Sequence, residues 1–576
     1  MPDVSITVFP AGKTVSCTTG VRLHEVLARM GISLTTPCGG NGTCGKCTVR
    51  VAHGHSFDKH NSVTQVHACQ YVVREPLIVW LPGESQRLND VQILTSHPSP
   101  DSRDEADVPL TLAHLAADAL SHLQQDLSGQ VGQYVVAVDI GTTTIVAELL
   151  YVETSAANRV KSWGVQSCHN PQAKFGDDVI SRIQYASESQ EHRERLRKTI
   201  VDAVNGLIAS LADNSSVSQE QITLVAIAGN TTMQQLFTGL DVQSLGHSPF
   251  APATKYYQPV PAHQYGININ PSDMVVLFPV IGGFVGGDIV AGIIATQLCS
   301  QNAPSLLIDI GTNGEIVLWR PEGRMLLAAA TAAGPAFEGA RISQGMIAAQ
   351  GAIERVVIGD DLHFETIGNQ PAVGICGSGL IDLMAELVRI GAIASSGKLL
   401  TGDQLPETVP AAIRNRFVMI DNKPVFVIVP QQLARGLAPG WKTDRQIILT
   451  QHDIRQVQLA AGAIRAGVML LLRQAGLEPG DLANVFLAGG FGNYIRRENA
   501  QRIGLLPPEI PTERIQFCGN TSLAGAKAVL LSTACYDAMQ TIADGAQCID
   551  LSKSPDFSTV FAESMLFPMQ NSLLFR

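Results

Sequence analysis

The sequence has little charge, and positive charge is the scarcer kind. Only 16% of its 576 residues are charged, with 40 lysines and arginines against 51 acids, and the formal net charge is −11. No run of Lys and Arg interrupts this pattern. Because an acidic chain without a basic patch repels phosphate backbones, we expect no nucleic-acid partner.

An export segment and an unbroken apolar run are also missing. The first residues lack the basic and apolar parts of a signal peptide. The longest uncharged runs, residues 274–287 and 289–308, contain glycines, prolines and amides, so they suit a buried α/β core better than a membrane helix. Eleven cysteines, an odd number, indicate reduced thiols or metal ligands rather than disulfides. We expect a cytoplasmic protein without a membrane partner.

The chain is rich in glycine and long enough for several domains. Glycine occurs 52 times, and 45% of the residues are hydrophobic, as in a well-packed globular protein. We predict four segments, residues 1–88, 89–132, 133–300 and 301–576. The second is a linker rich in Ser, Pro and Asp, with one helix expected at residues 110–127.

The first segment has the pattern of a small β-rich domain. Residues 4–9 and 13–18 alternate in polarity around a Pro-Ala-Gly turn, which predicts a β-hairpin. Residues 22–30 have helical spacing, and strands are expected at 48–52 and 76–81. This order of elements predicts a β-grasp fold of the ferredoxin type.

Four cysteines of this segment have the spacing of iron–sulfur ligands. Cys38, Cys44 and Cys47 lie within ten residues of glycine-rich chain, and Cys69 follows later. A [2Fe–2S] cluster takes four thiolates, and glycines let the loop wrap around it. A zinc site fits less well, because it usually needs two Cys-x-x-Cys pairs and only one is present. We therefore expect a [2Fe–2S] cluster on these four thiolates.

Beyond residue 133, apolar strands alternate with helices, and one motif occurs twice. Residues 135–144 contain Asp139-Ile-Gly-Thr-Thr-Thr, and residues 306–315 contain Asp309-Ile-Gly-Thr-Asn-Gly-Glu. A strand that ends in a carboxylate and such a turn can present N–H groups and hydroxyls to phosphate. One copy could be only a tight turn, but two copies indicate a duplicated nucleotide-binding domain. Residues 227–232 and 517–522 form a weaker second echo.

These motifs and a late glycine turn supply the candidate site residues. Asp139 and Asp309 would orient Mg²⁺ and the attacking water, while Glu315 either reaches the same metal or water or is a solvated strand residue. The other candidates would bind ATP through its phosphates or its base: Gly141, Thr142, Thr143, Thr144, Gly311, Thr312, Asn313, Gly489, Gly490 and Gly492.

Together these features resemble a known family. The repeated motif with the late glycine turn resembles the acetate-and-sugar-kinase, actin and heat-shock-chaperone superfamily. Its fusion to a ferredoxin domain resembles the reductive activators of corrinoid proteins. The likeness includes residues 170–172, 175–182, 334–339 and 375–380. It implies an α/β multidomain protein with an N-terminal β-grasp ferredoxin, a helical linker and a duplicated actin-like ATPase fold.

The resemblance also implies an activity. Members of that family use ATP to reduce a corrinoid protein from Co(II) to Co(I), so that methyl transfer resumes. We expect an ATP-hydrolysing electron-transfer enzyme whose partners are a corrinoid protein of a methyltransferase system and an upstream reductase, with a homodimer as one compatible assembly. Cys518, Cys535 and Cys548 are not clustered, so no second iron–sulfur centre is expected.

Two other functions are compatible with the sequence. A small-molecule kinase of the same superfamily would need a base beside its acceptor hydroxyl, and Asp177, Asp178 and Asp288 are candidates. A redox sensor without catalytic activity would bind nucleotide but would not turn it over.

Overall fold

A computed structural model describes most of the chain. The described residues are 3–9, 13–30, 48–53, 64–80, 132–153, 160–176, 178–339, 341–346, 348–430, 446–489 and 495–568. The chain splits into two compact units, of which the first comprises Met1–Gln92, Ala348–Ile353 and Glu365–Val373, and the second comprises the remainder. The helix expected at residues 110–127 lies outside the described residues.

The first unit contains a five-stranded sheet and one helix. Its elements are β1 (Asp3–Phe9), β2 (Lys13–Thr18), α1 (Leu23–Arg29), β3 (Thr48–His53), β4 (Thr64–His67) and β5 (Leu77–Trp80). The strand order is β2-β1-β5-β3-β4, with β1 and β5 parallel. Alternate strand residues such as Ile6 and Val8 are buried together with Leu23 and Leu27 of the helix. The predicted hairpin, helix and returning strands are confirmed, whereas the short strand β4 was not anticipated.

The second unit begins with a six-stranded sheet. Its strands are β6 (Gly132–Ile140), β7 (Thr144–Glu153), β8 (Val160–His169), β9 (Ile222–Gly229), β10 (Val260–Pro261) and β11 (Met274–Leu277). Its helices are α2 (Val179–Glu188), α3 (Gln190–Ser215), α4 (Thr231–Thr238), α5 (Ala262–Tyr265) and α6 (Gly287–Ala295). The strand order is β10-β11-β9-β6-β7-β8. An antiparallel β6-β7-β8 meander therefore continues into parallel β9 and β11.

The remainder of the chain carries another such sheet and a long insertion. Its strands are β12 (Ser305–Ile310), β13 (Gly314–Arg320), β14 (Met325–Thr331), β15 (Ala352–Ile358), β16 (Leu362–Thr366), β17 (Gly374–Ile375), β18 (Phe417–Ile420), β19 (Lys423–Val429), β20 (Ile447–Thr450), β21 (Asn484–Ala488), β22 (Ile515–Gly519) and β23 (Ala546–Cys548). Its helices are α7 (Gly377–Arg389), α8 (Ala411–Arg414), α9 (Gln451–Ala475), α10 (Arg497–Arg502), α11 (Thr521–Leu531), α12 (Thr533–Gly545) and α13 (Phe557–Ser564).

The two six-stranded sheets share the topology of five strands, while their sixth strands, β10 and β23, lie at opposite edges. The second has the order β22-β21-β12-β13-β14-β23, with β12-β13-β14 antiparallel and β21 and β22 parallel to β12. Strands β6 and β12 therefore occupy equivalent places, and each carries its Asp-Ile-Gly-Thr motif at its carboxyl end. This arrangement confirms the predicted α/β fold with an internal duplication.

Helices α6 and α11 hold the two halves of the duplication together. Each follows the last parallel strand of its sheet, and their side chains share one core that includes Ile289, Val290, Leu523 and Ala526. A Cβ on Gly525 would overlap the backbone of Ala291, so only glycine permits this close crossing. The uncharged runs at residues 274–287 and 289–308 form β11, α6 and β12, which confirms their assignment to the core. In the part of the chain that the structure describes, no helix is long and apolar enough to cross a membrane.

Candidate functional site

Asp139 lies at the carboxyl end of β6 and is held by the other half of the duplication. The Asn520 side-chain amide donates a 2.8 Å hydrogen bond to one carboxylate oxygen, and the Ser522 hydroxyl donates a 2.7 Å bond to the other. Asn520 also caps helix α11, where its side chain accepts from the backbone N–H of Leu523. These two partners were missed in the site prediction, although they lie in the weak echo at residues 517–522.

Asp309 occupies the equivalent tip of β12 and has a different environment. It lies opposite Glu315 in the β12–β13 register. Burial, followed by the charge of Asp139, raises the pKa of Asp309 to about 7. Burial also raises the pKa of Asp139, and the hydrogen bonds from Ser522 and Asn520 oppose that rise. The two strand tips are therefore not electrostatically equivalent.

Two more buried acids surround Asp309. Burial, and then the charges of Asp309 and Asp139, raise the pKa of Asp288 at the start of α6. Burial raises the pKa of Glu315 well above its usual value, with Asp288 and Asp309 adding to the rise. Glu315 is buried, so the interpretation as a solvated strand residue is wrong. A cation beside these carboxylates would relieve their mutual repulsion.

The acids fit Mg²⁺ better than a metal with an all-protein ligand cage. Among the described residues, no group of three or more His, Cys, Asp or Glu side chains is arranged to hold a metal ion. Mg²⁺ usually needs only one or two carboxylates, since water and phosphate oxygens complete its octahedron. Asp139 and Asp309 meet that requirement because both lie beside the turns that would bind phosphate.

The first of these turns, residues 141–144, is built from tight backbone contacts. The Gly141 N–H donates to the Thr144 carbonyl at 3.0 Å, and a Cβ on Gly141 would lie 2.6 Å from that oxygen. The Asn170 amide donates to the Gly141 carbonyl at 2.9 Å, and the Asn230 amide donates to the Thr142 hydroxyl at 3.0 Å. Glycine is thus required at position 141, and two asparagines hold the turn from outside.

Arg182 supports the same turn from beneath. This fully buried guanidinium donates to the carbonyls of Thr142 at 2.8 Å and Gly176 at 2.9 Å, and to the side chain of Gln172 at 3.3 Å. These acceptors satisfy the hydrogen-bonding capacity of the buried guanidinium. Asn170, Gln172, Gly176 and Arg182 therefore form a hydrogen-bonded support for the turn at residues 141–144.

The second phosphate turn, residues 311–313, is closed by a 2.9 Å bond from the Gly311 N–H to the Asn313 carbonyl. The Asn313 side chain hydrogen-bonds to Glu315. Gly489 lies behind this turn with φ +113, and a Cβ there would overlap the Ile310 carbonyl. The late glycine turn thus begins beside the second strand tip, while Gly490 and Gly492 lie outside the described residues.

Glu338 connects the two turns and was missed by the site prediction. The Thr143 hydroxyl donates to its carboxylate at 2.9 Å, and the Thr312 hydroxyl lies 3.0 Å from both carboxylate oxygens. Thr144, by contrast, is exposed at the start of β7. Glu338 lies in residues 334–339, a segment that the sequence singled out without giving it a chemical role.

Of the candidate bases for a kinase that the structure describes, only one belongs to the acidic group at the strand tips. Asp178 caps helix α2 through a 2.8 Å bond from the Ser181 N–H, so its carboxylate has a structural task. Asp177 lies outside the described residues. Asp288 belongs to the acidic group around Asp309, where it faces the strand tips.

Of the four candidate cluster ligands, the structure describes Cys69. Cys69 is buried in the turn after β4, and its carbonyl accepts a 3.3 Å bond from Arg22. Burial in the domain core suits a cluster ligand that must be shielded from water. Cys38, Cys44 and Cys47 lie outside the described residues.

Comparisons with known proteins cover almost the whole chain. Three family models match it: a 2Fe-2S iron-sulfur cluster binding domain over residues 6–74, the RACo middle region over residues 134–301, and the C-terminal domain of RACo, the ASKHA domain, over residues 303–576. The chain is 31% identical to the corrinoid activation enzyme RamQ of Eubacterium limosum, and the match covers 95% of this chain and 96% of that protein.

Two further relatives are similar in sequence or structure. The [Co(II) methylated amine-specific corrinoid protein] reductase of Methanosarcina barkeri is 25% identical, with 71% of this chain and 72% of that protein covered. The solved structure of a reductive activator for a corrinoid, iron-sulfur protein superposes with a TM-score of 0.69 at 32% identity, covering 99% of each chain.

Proposed function

The chain belongs to the family of reductive activators of corrinoid proteins, and we propose that it uses ATP to drive an electron from a [2Fe–2S] cluster to the cobalt of a corrinoid protein. The change from Co(II) to Co(I) would restore the state that accepts a methyl group. One structural observation carries the proposal best. Asp139 and Thr143 of the first half bond to Asn520 and Glu338 of the second, so nucleotide at the strand tips must alter the fit between the halves.

We assign the cluster to the N-terminal domain, residues 6–74, and ATP to the middle and C-terminal regions, residues 134–301 and 303–576. The four thiolates of Cys38, Cys44, Cys47 and Cys69 would hold the cluster, which supplies a single electron at low potential. The matches to a cluster-binding domain and to the middle and C-terminal regions support this division.

The chain's own residues account for ATP binding and hydrolysis. The backbone and side chains of residues 141–144 and 311–313 would donate hydrogen bonds to the phosphates, and the glycine turn at 489–492 would admit the base. Asp139 and Asp309 would hold Mg²⁺, which neutralises developing phosphate charge. Asp309 would also orient the attacking water, and in the absence of a metal ion, burial and the Asp139 charge raise its pKa to about 7. The charge of Asp309 in turn contributes to the raised pKa values of Glu315 and Asp288.

Energetics explain why ATP is needed. Plant-type [2Fe–2S] centres have reduction potentials near about −400 mV. Where the Co(II)/Co(I) couple of the corrinoid lies below the potential of the cluster, each difference of about 59 mV costs about 1.4 kcal/mol for the one electron transferred. ATP can assist only if nucleotide state changes how the protein binds its partner, for example by favouring a partner conformation that has lost an axial cobalt ligand. Shifting such an equilibrium from 1:99 to 99:1 takes about 5.5 kcal/mol of differential binding.

Partners and location follow from the same proposal. A corrinoid protein of a methyltransferase system is the electron acceptor, and an upstream reductase recharges the cluster. We place the protein in the cytoplasm, where ATP is available, and no disulfide forms among the described cysteines. A homodimer is compatible with this function.

The test is reduction of a Co(II) corrinoid protein, followed by its Co(I) absorption band. We expect Co(I) to accumulate only with reductant, ATP, Mg²⁺ and cluster-loaded protein together. Equal reduction without ATP would contradict the proposed coupling. Phosphorylation of an added sugar or acid would favour the kinase, and absence of any turnover with a cognate partner would favour the redox sensor.

A further inference from the structure

Glu338 joins the two phosphate turns through a single carboxylate. It accepts from the Thr143 hydroxyl of the first half at 2.9 Å and from the Thr312 hydroxyl of the second half at 3.0 Å. Hydrogen bonds from neutral donors to a charged carboxylate are stronger than those between neutral groups. The bridge therefore fastens the two halves together at the place where phosphates would bind.

The two threonine hydroxyls can serve only one acceptor at a time. A threonine hydroxyl carries a single proton, so a proton donated to Glu338 is not available to a phosphate oxygen. Carboxylate and phosphate are both anionic acceptors, and they would also repel each other at close range. Glu338 and the terminal phosphates of ATP must therefore compete for Thr143 and Thr312.

The backbone around Glu338 is tightly packed, which leaves its side chain as the movable part. The Phe337 carbonyl lies where a Cβ on Gly377 would be, at the start of α7. Gly339, with φ +84, packs as closely against the backbone of Met346. Glutamate has three side-chain torsions, so the carboxylate can leave the hydroxyls without displacement of the main chain.

We propose that Glu338 is a positioning residue that latches the two halves, and that the triphosphate of ATP displaces it. The proposal rests on the proposed ATP-dependent function and adds the step by which the site detects a triphosphate. Burial raises the pKa of Glu338, and the hydrogen bonds from Thr143 and Thr312 oppose that rise. The carboxylate thus depends on the two donors that ATP would take.

Glu338→Asp separates the latch from simple charge repulsion. Aspartate keeps the charge, but its reach is shorter by about 1.5 Å, so it cannot keep both hydroxyls at bonding distance. We expect the full-length, cluster-loaded variant to bind a nonhydrolysable ATP analogue with Mg²⁺ about tenfold more tightly, as measured by isothermal titration calorimetry. A misfolded variant would lose affinity, so folding damage cannot imitate this gain.

A double-mutant cycle with Thr312→Val supplies a second measurement. In the wild-type background, this variant removes both a phosphate donor and a bond of the latch, so the two effects partly cancel. In the Glu338→Asp background the latch is already broken. We therefore expect Thr312→Val to reduce ATP-analogue affinity by a factor about tenfold larger there than in the wild-type background. Glu322→Asp is the matched control, because Glu322 is an exposed acid of the same half. It should leave affinity unchanged.

The outcomes separate the latch from the function on which it rests. Wild-type protein that binds no ATP analogue would overturn the proposed function and the latch with it. Wild-type binding combined with unchanged or weaker binding by Glu338→Asp would overturn the latch alone. Additive effects of Glu338→Asp and Thr312→Val would also overturn it.

Discussion

Two aspartates with the same sequence context have different electrostatic environments because their neighbours differ. Asp139 accepts from Asn520 and Ser522, which favour its charged form and fix its orientation. Among the described residues, no side-chain donor bonds to Asp309, and acids face it instead. The duplicated motif therefore supplies one oriented carboxylate and one whose pKa, in the absence of a metal ion, lies close to neutrality.

The raised pKa of Asp309 predicts a pH-dependent stability. The pKa of Asp309 is about 7 in the folded state against an ordinary 3.8. Its contribution to the free energy of unfolding is therefore present in full below pH 3.8 and is lost as the pH rises through about 7. The loss for this group is at most about 4 kcal/mol. We therefore compare the unfolding free energy of Asp309→Asn with that of wild type, without metal or nucleotide. The difference, variant minus wild type, should be larger at pH 8 than at pH 5, as measured by urea unfolding.

An exposed aspartate provides the control for this titration. Asp403→Asn changes the net charge by the same amount at the surface. The change in unfolding free energy between pH 5 and pH 8 should therefore be the same in this variant as in wild type. If Asp309→Asn behaved like Asp403→Asn, Asp309 would not titrate near neutrality in the metal-free protein, and the electrostatic difference between the two strand tips would be contradicted.

At the scale of elements, the first phosphate turn depends on a buried arginine. Arg182→Met keeps the length of the side chain but leaves the carbonyls of Thr142 and Gly176 without their donor. Each unsatisfied buried group costs about 1–3 kcal/mol. We expect the unfolding free energy to fall by about 3 kcal/mol and ATP affinity to weaken, as measured by urea unfolding and calorimetry.

Arg195 is the matched control on the neighbouring helix. Its exposed side chain pairs with Glu191 at 2.6 Å, and Arg195→Met should leave stability and ATP affinity nearly unchanged. Equal effects of the two substitutions would show that Arg182 acts through general charge or packing rather than through the turn.

The crossing of α6 and α11 is a second element on which the site depends. Gly525→Ala would place a methyl group against the backbone of Ala291, and such overpacking costs about 1–3 kcal/mol. Because α6 carries Asp288 and α11 carries Ser522, ATP hydrolysis should fall as well. Gly206→Ala in α3 meets open space and should instead stabilise the protein by about 0.5–1 kcal/mol. Thermal unfolding measures both, and a neutral Gly525→Ala would contradict the tight crossing.

At the scale of the whole molecule, the sequence predicted what is local or repeated. The cysteine spacing, the hairpin at residues 4–18 and the Asp-Ile-Gly-Thr copies are patterns that lie within short segments or recur along the chain. Asn520 and Ser522 reach Asp139, and Glu338 reaches Thr143, from segments far away along the chain, so spacing could not connect them. The echo at residues 517–522 contained two of these residues, but its different offset from the main repeat concealed their position beside the first half.

The division of labour between domains predicts that each function can be lost alone. Asp139→Asn removes a carboxylate at the strand tip and leaves the first unit untouched, so ATP hydrolysis should fall by about 10²-fold or more while the [2Fe–2S] electron paramagnetic resonance spectrum is kept. Cys69→Ser replaces a buried thiolate and should lose or alter that spectrum, while the ATP analogue binds with wild-type affinity. Both variants should fail to produce Co(I) on the corrinoid protein, because electron supply and nucleotide hydrolysis are separate requirements of one reaction. Full Co(I) formation by Asp139→Asn would show that hydrolysis does not drive the transfer. Zinc in place of iron in anaerobically purified wild-type protein would exclude the cluster.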